Sequence, residues 1–332
     1  MSEFRQDKVS KQWVLFAPNS GTVLRDFKTP PATPDPKTLS EVEKICVFCP
    51  GNESNNQEIV SYPQGKDWKV RVIPNKFETL GQRSKREQSD FYTSREGIVD
   101  HEIVISRPHN VLNAFLPDDL MDLNLHVYQE RMRELSQNPE VQYVHLVHNH
   151  GRDAGASLIH PHSQIFATPF VPDYLHQEVT SSYQFYHEHG ACVYCETILK
   201  EFEHQNRIVL DHKDFLVFAP FASKSPYALR IISKTHRASF IEISSQERHS
   251  LALVLKFVLQ KFYHKLGNPA FNYYIHTMPT SHKMATRYDQ KSYHWHLDIL
   301  PRLKVWGGLE LGSDVYVNTI LPEIAADVLR SD

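Results

Sequence analysis

The chain reads as an α+β protein built from two copies of one half, each with a mostly antiparallel sheet and flanking helices. Three observations carry that reading. All four cysteines fall in two C-x-x-C pairs, Cys46 with Cys49 and Cys192 with Cys195. Each pair is followed, in the same order, by a lone histidine and an H-x-H pair: His109 then His160 and His162, and His236 then His294 and His296. Between these signals each half runs strand, helix, strand, strand, a succession that builds separate sheet and helix layers rather than alternating α/β units.

Each element has a local cause. Apolar runs at 102–106 and 228–233 precede the lone histidines and read as strands. After the first comes a helix near 117–136, opened by Pro117, Asp118 and Asp119, with Leu120, Leu123, Val127 and Leu135 along one face. After the second comes a helix near 245–266, with Leu251, Val254, Leu255, Val258 and Phe262 along one face and a stop at Gly267. Strands follow at 143–147 and 273–276, and the H-x-H strands at 160–166 and 294–300 close each half. The spacings between equivalent signals differ, which fits an old duplication rather than a tandem array. The halves are expected at 1–180 and 181–332. Residues 28–44 read as a loop or arm and 81–97 as a mobile loop.

Composition narrows the function classes. The 332 residues suffice for one large domain or two ordinary ones, and 41% hydrophobic content allows a packed core. The net charge of −3, from 36 basic and 39 acidic side chains, gives no electrostatic footprint for a nucleic-acid backbone. The N-terminus lacks an apolar signal-peptide core. No stretch approaches the roughly 18–20 apolar residues that span a bilayer, so no membrane partner is expected. Cysteines paired as C-x-x-C fit thiolate chemistry in a reducing compartment better than a disulfide framework. A soluble cytoplasmic protein is expected.

The ligand pattern points to zinc. Structural zinc takes four ligands, and Cys46, Cys49, His109 and His160 make one Cys₂His₂ set; Cys192, Cys195, His236 and His294 make a second. One or two Zn²⁺ ions per chain are therefore expected. A redox pair is the competing reading of a cytosolic C-x-x-C, and the histidines that follow favour the metal. Histidines two apart on a strand share a face, so His162 stands beside the first set yet outside it. A free imidazole there is a candidate nucleophile or general acid–base. The small-residue loop from Asn149 to Ser157 leads into it, and its backbone N–H groups suit a phosphate.

The run Asn149-x-Gly151…Gly155-x-Ser157…His160-Pro161-His162-Ser163-Gln164 resembles the active-site signature of galactose-1-phosphate uridylyltransferases. These belong to the histidine-triad superfamily and carry two fused copies of its fold. Segments 13–18, 71–77 and 105–109 also resemble that family, so the likeness covers nearly the whole chain. It implies two fused histidine-triad-like halves and a ping-pong transfer on nucleoside diphosphate sugars. His162 would attack the α-phosphate, and Gln164 would bond the phosphoryl oxygens. Asn75, Phe77, Asn149, Gly155, Ser157 and Glu310 would bind substrate, and zinc would orient strand and loop. The likeness also implies a homodimer whose sites take residues from both subunits. The acceptor would be a sugar 1-phosphate or phosphate.

Three departures bear on that reading. The second C-x-x-C, and the tail 307–313 followed by Tyr316-Val317-Asn318, resemble a branch containing ADP-glucose phosphorylases, where phosphate serves as acceptor. The family's usual Arg-x-x-Arg pair after Pro18 is missing; only Arg25 stands nearby. A non-catalytic, zinc-stabilised nucleotide-binding protein is the rival that this loss suggests. In the second half, Leu297-Asp298 replaces the Ser-Gln context after His296. His296 is therefore expected to be structural or a minor metal contact, leaving one active site per chain.

Overall fold

The structure is a computed structural model, and it describes residues 2–18, 43–75, 91, 99–109, 111–279 and 288–331. Two strands open the chain, β1 (Glu3–Gln6) and β2 (Trp13–Phe16). The first half continues with β3 (Val60–Tyr62), β4 (Val70–Pro74), β5 (Asp100–Ser106), helix α1 (Asp118–Leu135), β6 (Tyr143–His150) and β7 (His162–Thr168). Helices α2 (Asp173–His189) and α3 (Val193–His204) lead into the second half. Its strands are β8 (Ile208–Asp211), β9 (Phe215–Phe218), β10 (Leu229–Ser233), β11 (Phe271–His276) and β12 (His296–Pro301), with α4 (Ser245–Leu266) between β10 and β11. The chain closes with α5 (Gly308–Ser313), β13 (Tyr316–Asn318) and α6 (Pro322–Arg330).

The two halves share one sheet. Its strand order is β3-β4-β5-β7-β6-β11-β12-β10-β9-β8, so each half supplies five strands in mirrored order. They join where β6 and β11 pair antiparallel, Val147 opposite Tyr274 and Asn149 opposite Asn272. All neighbouring pairs in this sheet are antiparallel, as expected. Helices α1 and α4 cover the back face. Leu125, Met132, Leu255, Val258 and Phe262 pack there against Leu146, Ile165, Ala167, Tyr273, Leu297 and Ile299 in one core. That core is what the 3.6-residue periodicity of the two helices anticipates. Ser244 and Glu247 form a reciprocal capping box that starts α4, and Gly267, at φ +74°, ends it.

Both H-x-H strands begin two residues later than expected, because the first histidine of each pair lies before the strand and the second opens it. A proline at 161 provides no N–H for a ladder, which suits a position before the strand. The small sheet β1-β2-β13 had no periodic signal strong enough to read, and β2 pairs in parallel with β13, tying the two chain ends together. The stretches expected as loops, 28–44 and 81–97, lie almost wholly outside the described residues, as do Arg25 and Phe77.

Candidate active site and metal clusters

Alternation along β7 sorts its residues between two faces. Ser163, Ile165 and Ala167 face the helical core, while His162, Gln164, Phe166 and Thr168 face the front. On β5, Ile105, Ile103 and His101 stand opposite His162, Gln164 and Phe166. The His162 Nδ1–H donates to the His160 carbonyl at 2.8 Å, which leaves Nε2 as the nitrogen with a free lone pair. Burial holds the His162 imidazole below its ordinary pKa, and the bond to that carbonyl offsets part of the effect. The ring is therefore neutral at pH 7. Phe48 from the first C-x-x-C turn packs edge-on against His162, with ring centroids 5.3 Å apart.

Gln164 and Asn75 meet through a residue the sequence reading passed over. His101 Nε2 lies 2.9 Å from Gln164 Oε1, and its ring stacks on Phe166 with centroids 4.0 Å apart. The Asn75 backbone N–H donates to the His101 carbonyl at 2.8 Å. The one available signal was that His101 shares the strand face of Ile103 and Ile105, and a single strand histidine is weak evidence for a site. Asn149 is the penultimate residue of β6, with Oδ1 bonded across the junction to Asn272. Gly155 and Ser157 lie in the loop between β6 and β7. Gly151 starts that loop at φ +81°, where an added Cβ would meet the Ala270 Cβ at 2.8 Å. Glu310 is built into the tail. Its carboxylate takes Lys304 Nζ at 3.0 Å and the Gly307 and Val317 N–H groups.

The two expected ligand sets both assemble, each with its ligand atoms within 4.8 Å of one another. In the first, Cys49 Sγ is 3.0 Å from His109 Nδ1 and 3.6 Å from His160 Nδ1, and Cys46 Sγ is 3.6 Å from His160 Nδ1. In the second, Cys195 Sγ is 3.3 Å from His236 Nδ1 and 3.7 Å from His294 Nδ1. A tetrahedral zinc with bonds of about 2.3 Å to sulfur and about 2.0–2.1 Å to nitrogen has a sulfur–nitrogen edge of about 3.6 Å. The observed separations cluster around that edge. Ring orientation agrees: His160 Nε2–H donates to the Ser106 carbonyl at 2.7 Å and His236 Nε2–H to the Gln290 carbonyl at 3.2 Å, so Nδ1 of each turns inward. Without a cation, burial and the neighbouring Cys46 push the Cys49 thiol up to about 12. A dication is what makes two adjacent buried thiolates stable. The residues fit zinc at both places.

A third group contains a carboxylate that the sequence reading did not name. Glu178 of α2, His276 and His296 place their ligand atoms within 4.8 Å of one another, all buried. Glu178 Oε2 sits 2.9 Å from His276 Nδ1. The group occupies the second half's counterpart of the His162 region. There His296 Nδ1–H donates to the His294 carbonyl at 3.2 Å, repeating the His162 arrangement. The surroundings differ. Asp298 stands where the first half has Gln164, and it is locked to Arg230 by two bonds of 2.7 and 2.8 Å. Helices α2 and α3 cover this face with Val179, Tyr194 and Ile198, which pack with Tyr293. His296 is fully buried, and its Nε2 has no hydrogen-bond partner among the described residues. Burial, reinforced by the Arg230 cation, pushes its pKa down to about 3.

A doubled α+β half that carries the Cys₂His₂ set twice and the His162–Gln164 context once defines a class, that of two-copy α+β proteins sharing one antiparallel sheet. Within that class the chain belongs to the galactose-1-phosphate uridyl transferase family: its N-terminal domain model matches residues 1–172 and its C-terminal domain model residues 177–330. The chain is 33% identical to an ADP-glucose phosphorylase of Arabidopsis thaliana, over 99% of this chain and 92% of that one. It is 30% identical to a galactose-1-phosphate uridylyltransferase of Thermotoga maritima, over 99% of this chain and 98% of that one. Among solved structures, an ADP-glucose phosphorylase from Arabidopsis thaliana with bound ADP-glucose superposes with a TM-score of 0.81. It is 28% identical and covers 100% of this chain and 99% of its own. No helix among the described residues is long and apolar enough to cross a membrane.

Proposed function

We propose that the protein moves a nucleotidyl group from a nucleoside diphosphate sugar to a phosphate-bearing acceptor through a covalent intermediate on His162. The observation that carries this reading is the His162 tautomer. With Nδ1–H spent on the His160 carbonyl, Nε2 is the basic atom on the front face. Its lone pair forms a bond to the α-phosphorus, the bridging P–O bond breaks, and sugar 1-phosphate leaves. In the second step an acceptor phosphate oxygen attacks that phosphorus, the N–P bond breaks, and His162 returns to its starting state. With Oε1 engaged by His101, the Gln164 amide NH₂ is the end left to donate to the phosphoryl oxygens as charge shifts. Asn149, Gly155 and Ser157 serve the phosphates and sugar, and Asn75 with Phe77 the nucleoside. Cys46, Cys49, His109 and His160 would hold one zinc, and Cys192, Cys195, His236 and His294 another. When bound, each supplies a structural cross-link between a C-x-x-C turn and the strand ends.

The acceptor divides two versions of this reading. The His160-Pro161-His162 motif favours uridylyl transfer to a hexose 1-phosphate such as galactose 1-phosphate. The missing arginine pair after Pro18 and the likeness to an ADP-glucose phosphorylase favour inorganic phosphate and an adenylyl group. A homodimer is supported by the exposed apolar Val305, Leu309 and Leu311 on the tail that carries Glu310. Division into halves at 1–180 and 181–332 is supported by the mirrored strand order, and a cytoplasmic location by the thiol-rich ligand sets.

The test is incubation with UDP-glucose and ADP-glucose, each labelled in the α-phosphate. Acid-labile, base-stable label on the protein is expected, and its loss in His162→Asn. Absence of label with both donors refutes the covalent mechanism; persistence in His162→Asn refutes the nucleophile. Adding galactose 1-phosphate or inorganic phosphate to labelled protein then identifies the acceptor.

A further inference from the structure

We infer that Asn272, a residue of the second half, is a positioning residue for the first half's site. The inference rests on the function proposed above. Asn272 lies on β11 directly opposite Asn149 on β6, at the seam where the halves join in the ten-stranded sheet. Its amide nitrogen donates to Asn149 Oδ1 at 2.7 Å and to the Ala154 carbonyl at 2.8 Å. Both N–H bonds of one amide are thus used, and that fixes which end is nitrogen. The first bond holds Asn149 with its oxygen toward the second half. The Asn149 NH₂ is then the end presented to the front, and it has no partner among the described residues. The second bond pins the middle of the loop that carries Gly155 and Ser157.

Other contacts at the same seam agree. Gly151 approaches Ala270 too closely to admit a side chain. His150 Nε2 is 3.2 Å from Asn268 Oδ1, and the His150 ring stacks on Phe271 with centroids 4.8 Å apart. The start of β11 and the residues just before it thus grip the beginning and the middle of the loop that the first half offers to phosphate. The exchange is mutual. His145 on β6 lies in the first half, and its ring centroid is 6.3 Å from that of His276 in the sealed group. Each half therefore lends one polar residue to the other half's front face. In a pseudosymmetric dimer of halves, the copy without the catalytic context keeps a catalytic duty. It sets the amide of Asn149 and the height of the loop, and a donor misplaced by about 1 Å costs on the order of 10²-fold in rate.

The test is a double-mutant cycle on the first half-reaction, using Asn149→Ala, Asn272→Ala and both together in the full-length protein. The readout is the single-turnover rate of label transfer to His162. Asn272→Ala is expected to slow transfer 10- to 100-fold, and the double variant is expected to be no slower than the slower single variant, because one residue acts through the other. Asn272→Asp, of the same size but without donors, is expected to follow Asn272→Ala. Equal urea midpoints for wild type and Asn272→Asp separate positioning from folding. An unchanged rate in both Asn272 variants, or losses that multiply in the double variant, overturns the inference. If the wild type itself takes no label, the covalent function fails instead. The same proteins are then titrated calorimetrically with UDP-glucose and ADP-glucose, where affinity equal to wild type in Asn272→Ala overturns the inference.

Discussion

Replacing Arg230 by Met tests why the second half is sealed. Arg230 and Asp298 face each other on β10 and β12, both about nine-tenths buried, with Nε–Oδ1 at 2.7 Å and Nη2–Oδ2 at 2.8 Å. Burial by itself would raise the Asp298 carboxyl; the Arg230 guanidinium outweighs it and holds the group below the ordinary carboxylate range. Arg230→Met leaves that buried carboxylate without its cation, and also removes a positive charge that helps hold the Glu178 carboxyl low. Two charge-assisted hydrogen bonds at about 1.5–3 kcal/mol each give a loss of about 3–6 kcal/mol. Measured breakages of buried pairs give about 3–5 kcal/mol. Arg230→Met combined with Asp298→Leu removes both charges and should return stability to within about 2 kcal/mol of wild type. Urea unfolding at pH 7.5, followed by far-UV circular dichroism, measures both. A loss below about 1 kcal/mol in the single variant would refute the reasoning. So would a double variant no better than the single, since that assigns the loss to packing rather than to an orphaned charge.

Separate removal of each metal set is expected to cost one zinc apiece. Cys49→Ser and Cys195→Ser should each lower bound zinc by one equivalent, read by atomic absorption, and the buried first set should exchange more slowly with a chelator than the second, whose His236 is exposed. Gly151→Ala should destabilise the protein by about 1–3 kcal/mol, because the new methyl meets Ala270 and φ is positive, and a differential scanning calorimeter records it. Glu310 should make the tail acid-sensitive. Burial opposes its charge, but Lys304 and the Gly307 and Val317 N–H groups outweigh it and lower the carboxyl to about 2. The folded-state pKa is depressed, so this contribution is complete above the unfolded value near 4.5 and is lost as pH falls toward 2. Fluorescence of Trp306, which packs on Tyr316, should change across that window in wild type and already be altered in Glu310→Gln at pH 7.

Much of the first site was legible because its signals are local. C-x-x-C spacing, a histidine pair two residues apart and a small-residue loop each constrain a few neighbouring residues, and the fold assembles both Cys₂His₂ sets from them. The strand and helix periodicities of each half were equally readable, within two residues at most boundaries. Glu178, Asn272 and His101 were not. Each acts through a partner between 63 and 123 residues away, respectively His276, Asn149 and Gln164, brought near only by strand pairing or helix docking.

By itself the sequence determined that the fold occurs twice, that each copy carries a metal-ligand set, and that His162 stands beside one of them. The tertiary structure decided what the copies do for each other. One antiparallel seam between β6 and β11 joins ten strands into a single sheet. That seam puts Asn272 against the first site. The docking of α2 and α3 leaves His296 with no exposed surface, against 7% exposure for His162. Register and docking follow from long-range burial of apolar faces, and no short motif encodes them.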